Sequence, residues 1–551
     1  MRLASLLMLL ASSIAMAQKG QVHWYDRAVI YEIYPRSFQD TNGDGIGDLN
    51  GVTSRLDYLK ELGINAIWIT PFYPSPNLDF GYDVSDYTNV AREYGTMDDW
   101  NRLTAEAKKR GIRVLVDFVV NHTSDQHPWF KESRSSRTNP KRDWYVWKDG
   151  GGPDQPPTHW TSIFGGYTWT WDAKTRQWYY HMFLPEQPDV NWRNAELKKA
   201  MFDVVRFWLD HGASGFRLDA TPYLIEDPAY PDDPHPPKPG AGASLMPYNS
   251  GRPENHQILK EMRKVLNGYS GDPVLLGESS TKTIQDLAAV YGTNGEEIQL
   301  PMDFLIGNLQ QLNAAVFKRE FDAANTQLGG RTPVFFFSNH DHPRQWSTFG
   351  DDVHNDQVAK LTGALSLSQP GCVLLYYGEE LGMATMSTAE LSRVPISPKR
   401  PRADRRDGAR TPMQWDTSTN AGFSEGSPWL PVESTFKRYN VASEKTDPQS
   451  IYNWYAALVK LRRDEVTMRD GDYVPLESGN ADVFAFGRKT AAGEISLIAM
   501  NTSNKEQRVS LSGFASWPGF RRVLLASPST AAPQSSKFTI APYGVFIVAN
   551  K

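Results

Sequence analysis

Short apolar runs alternate with amphipathic stretches through most of this chain, and that alternation narrows the folds open to it. Val29 to Tyr34 precedes a helical pattern over Val52 to Leu62, and Ala66 to Ile69 precedes another over Asp98 to Arg110. Val114 to Val120 follows, and then the rhythm breaks. From about Thr123 to Gln187 the chain is rich in Trp, Gly, Pro and charge, with no helical period. The alternation resumes with Glu196 to Leu209, Gly215 to Asp219, His256 to Leu266, Val274 to Gly277 and Thr283 to Tyr291. It continues through Ile298 to Phe304, Asn308 to Asn325, Val334 to Phe337, Asp356 to Leu367 and Val373 to Tyr377. Short continuous apolar runs read as strands buried on both faces, and parallel strands need helical crossovers. The prediction is an α/β chain with a (β/α)8 TIM barrel, interrupted by an excursion domain after its third strand. Beyond Ile451 to Arg462 the texture changes to short alternating runs with Gly, Ser and Pro turns, which predicts a C-terminal antiparallel β-sandwich domain. The expected boundaries are barrel 18–122, excursion 123–187, barrel 188–465 and β domain 466–551.

The first residues have their own pattern. Arg2 precedes the apolar run Leu3 to Leu10, and Ala15-Met16-Ala17 supplies a small-x-small site before Gln18. That predicts a signal peptide over 1–17 and an exported protein, periplasmic or secreted. The single cysteine, Cys372, has no internal partner and lies in an apolar run, where inert packing is expected. A net charge of -5 leaves no footprint for nucleic acid or an anionic membrane. Of two conspicuous loops, the Pro-rich Asp227 to Pro239 and the basic Pro398 to Arg410, each is open to reading as a pocket rim or a plain connection.

Three acids stand at or just past three of the predicted strands: Asp219 after Gly215-Phe216-Arg217-Leu218, Glu278 after Val274-Leu275-Leu276-Gly277, and Asp341 after Phe337-Ser338-Asn339-His340. Any one of them alone is as well explained as the cap of the next helix. Three at the C-terminal ends of barrel strands mark the place where such a barrel gathers its chemistry. Arg217, two residues before Asp219, shares its side of the strand, so its fixed charge is expected to favour the ionised Asp219. A barrel-interior salt bridge explains Arg217 equally well. Glu278 has no basic neighbour in sequence.

Seven segments in order resemble the α-amylase family of glycoside hydrolases, in its α-glucosidase and oligo-1,6-glucosidase branch. They are Gly81 to Tyr87, Asp117 to His122, Gln187 to Trp192, Gly215 to Ala220, the Glu278 strand, Ser338 to Asp341, and Arg406 to Trp415. The resemblance implies that Asp219 is the nucleophile, Glu278 the general acid/base and Asp341 the transition-state stabiliser. It implies that His122 and His340 bond sugar hydroxyls, that Tyr82 is an aromatic platform, and that Asp79 pairs with an arginine, Arg410, to close the pocket. A blind pocket favours exo-action on short chains.

Asp40-Thr41-Asn42-Gly43-Asp44-Gly45-Ile46-Gly47-Asp48 places oxygen donors at alternate positions, as a Ca²⁺ loop requires. Gly51 stands where an EF-hand would carry its Glu, so this is not a calcium switch. It resembles the family's structural calcium loop, which implies Asp40, Asn42, Asp44, Asp48 and the Ile46 carbonyl as ligands; a turn held by its own hydrogen bonds is the alternative. A second calcium at Asn121 is not expected, since few acids lie near it in sequence. No organic cofactor is implied.

The resemblance implies a retaining α-glucosidase that releases glucose from small oligosaccharides. Ala220, directly after Asp219, leans toward α-1,4 linkages, because enzymes of this branch that cut α-1,6 bonds tend to carry Val there. Trp192 and Pro428 to Val432 also look like α-glucosidases. The stretch Phe216 to Leu224 is similar to trehalose synthases too, so glucosyl transfer or isomerisation stands as the alternative, beside an oligo-1,6-glucosidase. Monomer and dimer both remain open.

Overall fold

The computed structural model describes residues 22–233 and 248–551. The leader expected over 1–17 and the part of the Pro-rich loop from 234 onward lie outside the described residues. Eight parallel strands form the central sheet: β1 Val29–Ile33, β2 Ala66–Ile69, β3 Arg113–Val119, β4 Gly215–Asp219, β5 Val274–Gly277, β6 Leu300–Pro301, β7 Val334–Phe335 and β8 Cys372–Tyr376. Their order is β7-β8-β1-β2-β3-β4-β5-β6, with every neighbouring pair parallel. The ladder therefore runs once round a nearly closed barrel and leaves a seam between β6 and β7. The seam has a local cause. β6 ends in Pro301, which has no N–H to give to a ladder, and Asp303 reaches across with one long bond from its N–H to the Val334 carbonyl at 3.4 Å.

The strands are buried almost throughout, which is why their sequences are near-continuous apolar runs rather than alternating ones. The exceptions are informative: Glu32 in β1, Asp117 in β3, and Arg217 and Asp219 in β4 are polar yet buried. β4 and β5 approach so closely that a Cβ on Gly215, at φ +142°, would lie 2.2 Å from the Val274 carbonyl oxygen. Glycine is needed at that contact.

Helices cover the strands. Thr96 and Asp99 form a capping box that starts Met97–Lys109, and the Asn194 side chain accepts from Glu196 and Leu197 N–H to start Ala195–Asp210. Two expected helices have different bounds. Val52 to Leu62 is Leu49–Ser54 and Leu56–Leu62, which meet at Arg55. The helix expected over Asn308 to Asn325 is Ala314–Gln327, starting late because the Asn313 side chain accepts from Ala315 and Val316 N–H; a separate short helix, Phe304–Gly307, lies before the expected range.

Between β3 and β4 lies a small antiparallel sheet of Trp147–Lys148, Trp169–Asp172 and Gln177–Tyr180, with the last in the middle. Its aromatic core of Trp160, Trp169, Trp178 and Tyr180 packs with Ala220 and Tyr223, the turn that follows β4. The excursion thus braces the loop beside Asp219. After the helix Ile451–Asp464 come a five-stranded and a two-stranded antiparallel sheet with their own core. Arg488 ties this domain to the barrel, donating to the carbonyls of Gly471, Ser368 and Met468. Cys372 is a free, buried thiol in β8, and burial pushes it up to about 12. Among the described residues no helix is long and apolar enough to cross a membrane.

Candidate active site

At the C-terminal end of the barrel one side chain organises the site. Arg217 is fully buried, and its guanidinium is spread over three carboxylates. Nη1 lies 2.6 Å from Asp219 and 3.2 Å from Asp117, and Nη2 lies 2.6 Å from Glu278. Position and burial follow from the strands: Asp219 ends β4, Glu278 follows β5, and Asp117 sits inside β3. The side chains of Asp219, Glu278 and Asp341 remain 11%, 24% and 27% exposed, whereas Arg217 has no exposed surface.

The electrostatics follow from one positive charge facing three negative ones. Burial pushes Asp219 well above the usual carboxylate range; Arg217 opposes this, and Glu278 and Asp117 add to it. Burial likewise raises Asp117 to about 6, against the pull of Arg217. The one guanidinium lowers both Asp219 and Asp117 without offsetting the cost of burying them. Arg217 acts on Asp219 in the expected direction, favouring the ionised form, but the guanidinium is shared and burial outweighs it.

Ala220 turns the chain at the end of β4 in the left-handed region, at φ 52°, and its N–H points to Glu278 Oε2 at 3.2 Å. A non-glycine residue there carries of order 1–3 kcal/mol of strain. Thr221 Oγ1 donates to the Glu278 carbonyl at 2.7 Å, joining the same turn to β5.

Asp341 stands against a second cationic group. Arg406 Nη1 and Arg410 Nη2 donate to its Oδ1 at 2.9 and 3.0 Å, and His340 Nε2 lies 3.2 Å from Oδ2. Burial alone would raise this carboxyl, but His340 and the two guanidiniums hold it well below the usual range. The partner expected for Asp79 is corrected: Asp79 is bound by Arg406, at 2.5 Å, and not by Arg410. Arg410 instead donates from Nε to the His340 carbonyl at 2.8 Å and serves Asp341. Both arginines come from the short helix Arg405–Ala409 and its last turn, so the basic loop lines the pocket. Gln187 Nε2 donates to the other oxygen of Asp79 at 3.0 Å.

Tyr82 stacks face to face with His340 at 5.2 Å, and its hydroxyl lies 2.9 Å from Asp117 and 2.8 Å from His340 Nε2. His122 is buried, with Nε2 3.2 Å from the Tyr82 carbonyl, and burial lowers it to about 3. The sequence reading did not single out Glu32, Asp117, Gln187 or Phe164. Asp117 and Glu32 each had a signal, an acid inside an otherwise apolar strand. Phe164 is 40% exposed and lies 5.3 Å from the Arg406 guanidinium; nothing local in sequence marks it.

The Asp40 to Asp48 loop is closed by its own amides. Asp40 accepts from the N–H groups of Asn42, Gly43 and Gly45, Asn42 from Asp44, Asp44 from Ile46, and Asp48 from Thr41 and Gly51. Its side chains, with the Ile46 carbonyl, form an all-oxygen set, the chemistry calcium takes. Near Asn121 the structure supplies an acid that sequence distance hid. Buried Asp189 lies beside Asn121, and burial raises both it and the neighbouring Glu226, the latter to about 7. Among the described residues no three acids, histidines or cysteines converge to hold a metal.

Comparison with known proteins agrees with this geometry. The family model of the α-amylase catalytic domain matches residues 32–471. The oligo-1,6-glucosidase of Parageobacillus thermoglucosidasius is 37% identical over 518 residues, covering 88% of this chain and 91% of that protein. An α-glucosidase of Culex pipiens is 37% identical over 559 residues, covering 98% and 93%. Among solved structures, the trehalulose synthase of Pseudomonas mesoacidophila superposes with a TM-score of 0.85 at 36% identity, over 96% of this chain and 100% of that one.

Removing Asp117 takes one negative neighbour from Asp219 and leaves more of Arg217 to it, so both changes lower the Asp219 pKa. Asp117→Asn is expected to move the acid limb of the kcat/KM–pH profile to lower pH, and an unmoved limb would contradict the shared-cation picture. By its fold, its strand-end acids and its relatives, the chain belongs to the α-amylase family and is a glycoside hydrolase.

Proposed function

We propose that the protein is an exo-acting, retaining α-glucosidase that hydrolyses α-1,4-linked gluco-oligosaccharides from the non-reducing end. The observation that carries this reading is the contact of Asp219 and Glu278 with one guanidinium. Retaining glycosidases need their two carboxyls only about 5–5.5 Å apart, whereas inverting ones leave room for a water between them. In the proposed reaction Glu278 gives its proton to the glycosidic oxygen as Asp219 attacks the anomeric carbon, and the leaving sugar departs. Glu278 then takes a proton from water, whose oxygen displaces Asp219 and frees glucose with its configuration retained. Asp341, held ionised by Arg406 and Arg410, faces the positive charge that develops on the sugar ring.

Exo-action is supported by the Asp79–Arg406 pair, which with Gln187 places charge-assisted bonding groups at one end of the cleft. Linkage preference rests on Ala220. The relatives are divided on this point, being named oligo-1,6-glucosidase and α-glucosidase. A second reading, glucosyl transfer or isomerisation, is favoured by structural neighbours named trehalulose synthase and isomaltulose synthase.

Incubation with maltose and with isomaltose, followed by NMR, separates these readings. α-Glucose appearing first from maltose, with isomaltose slow, is expected; oligosaccharide or isomer formed without matching glucose would favour transfer. Glu278→Gln is expected to cut turnover about 10²–10⁴-fold, and undiminished turnover would remove Glu278 from its role.

We also propose that the Asp40 to Asp48 loop binds Ca²⁺ as a structural ion, on the strength of its oxygen-only donor set. Its binding would stabilise the folded state by mass action. Chelation with EGTA is expected to lower the melting temperature and added Ca²⁺ to restore it; identical melting curves would assign the loop to a self-held turn.

A further inference from the structure

The loop that carries Asp79 is held by an acid that the proposed reaction does not use. Asp83 has no exposed surface. Its Oδ1 accepts from the Ser75 hydroxyl at 2.8 Å and from the Asp79 N–H at 3.1 Å, and its Oδ2 accepts from the Leu78 N–H at 3.0 Å. Ser75 Oγ in turn accepts from the Asn77 N–H at 2.9 Å. Residues 75–79 are thus tied, directly or through Ser75, to one carboxylate.

Chemistry fixes the direction of these bonds. A backbone N–H can only donate, and Ser75 Oγ, which turns a lone pair to Asn77, has its single hydrogen left for Asp83. Asp83 is therefore the acceptor in all three. Burial raises it to about 6, the bonds from Ser75, Leu78 and Asp79 oppose that, and the like charge of Asp79 adds to it. Charge does not draw Asp79 toward Asp83; the contact is with the main chain.

The loop needs such a hold. Asn77 and Phe80, on either side of Leu78 and Asp79, lie in the left-handed region at φ 61° and 40°. Non-glycine residues stay there only where their surroundings impose it. Phe80 is pinned by its ring, 5.0 Å from the Trp429 ring and 5.5 Å from the Arg36 guanidinium. Asp83 constrains the two amides in between. From that turn Asp79 reaches Arg406 with one oxygen, at 2.5 Å, and Gln187 with the other, at 3.0 Å.

We propose that Asp83 is a positioning residue: by fixing the Leu78 and Asp79 amides it sets where the Asp79 carboxylate meets Arg406 and Gln187, and so shapes the closed end of the pocket. The consequence for substrate rests on the glycosidase reading of that pocket, but the hold on Asp79 does not.

Asp83→Asn keeps the side chain's shape, yet its NH₂ group faces at least one backbone N–H whichever way the amide turns. It is expected to lower kcat/KM for maltose about 10–100-fold, the scale on which a misplaced group acts. The loss falls on KM, with kcat within about threefold, because on the glycosidase reading Asp79 bonds the sugar away from the bond that breaks. In an Asp79→Ala background the same substitution is expected to change KM by less than about threefold, since the group it acts through is gone. Wild-type KM in folded Asp83→Asn, or an equal loss in both backgrounds, would overturn the proposal. If Asp83→Asn does not fold, Ser75→Ala takes its place; a rise in KM of at least about threefold is expected, and wild-type KM would contradict the role. If the wild type cleaves no glucoside, the proposed function falls, and a crystal structure of the Asp83→Asn or Ser75→Ala variant still decides the contact. Asp79 drawn away from Arg406 is expected there, and an Asp79–Arg406 bond of unchanged length would overturn the proposal.

Discussion

The site depends on one buried cation. Arg217 has no exposed surface, and an isolated buried charge costs several kcal/mol; its contacts with Asp117, Asp219 and Glu278 offset that cost. The same contacts set the geometry of the acids, because a planar guanidinium offers donors only in fixed directions. Three adjacent strands, β3, β4 and β5, each deliver one carboxylate to it. Their approach depends in turn on Gly215, where no side chain fits between β4 and β5. A single charge cannot neutralise three, and burial leaves Asp219 and Asp117 raised despite it.

A second cationic group is kept apart from the first. Arg406 and Arg410 hold Asp341 ionised and, through Arg406, secure Asp79. The barrel thus gives Asp341 two guanidiniums of its own, while Asp219 and Glu278 share one with Asp117. A cavity of about 720 Å³ lies at the other end of the barrel. It is lined by residues that precede strands, such as Asp26, Gln299 and Thr332, and contains none of the three acids.

Much of this was legible in the sequence, for reasons that can be named. Strand positions were readable because buried parallel strands are continuously apolar, and the acids were readable because they interrupt or close those runs. The Arg217–Asp219 contact follows from the two-residue period of a strand. What failed were contacts set by packing between distant segments. Arg406 and Arg410 stand four residues apart, and only the orientation of their turn decides which one reaches Asp79. The sharing of Arg217 with Glu278 was hidden for the same reason: Glu278 has no basic neighbour along the chain. Glu32 was visible as an acid in an apolar strand, but its partner, His340, lies at the far end of the barrel's sequence. The seam between β6 and β7 and the late start of the helix Ala314–Gln327 were written locally, in Pro301 and Asn313, and were passed over in favour of the broader apolar pattern.

The central claim is that Asp219, placed beside Glu278 on Arg217, is the group that attacks the sugar. The most direct measurement is to trap it with a slow-reacting fluorinated α-glucosyl fluoride, digest the protein and map the adduct by mass spectrometry. A single glucosyl ester on the peptide containing Asp219 is the predicted result. An adduct on Glu278 or Asp341, or turnover of the reagent with no protein-bound sugar at any time, would contradict it.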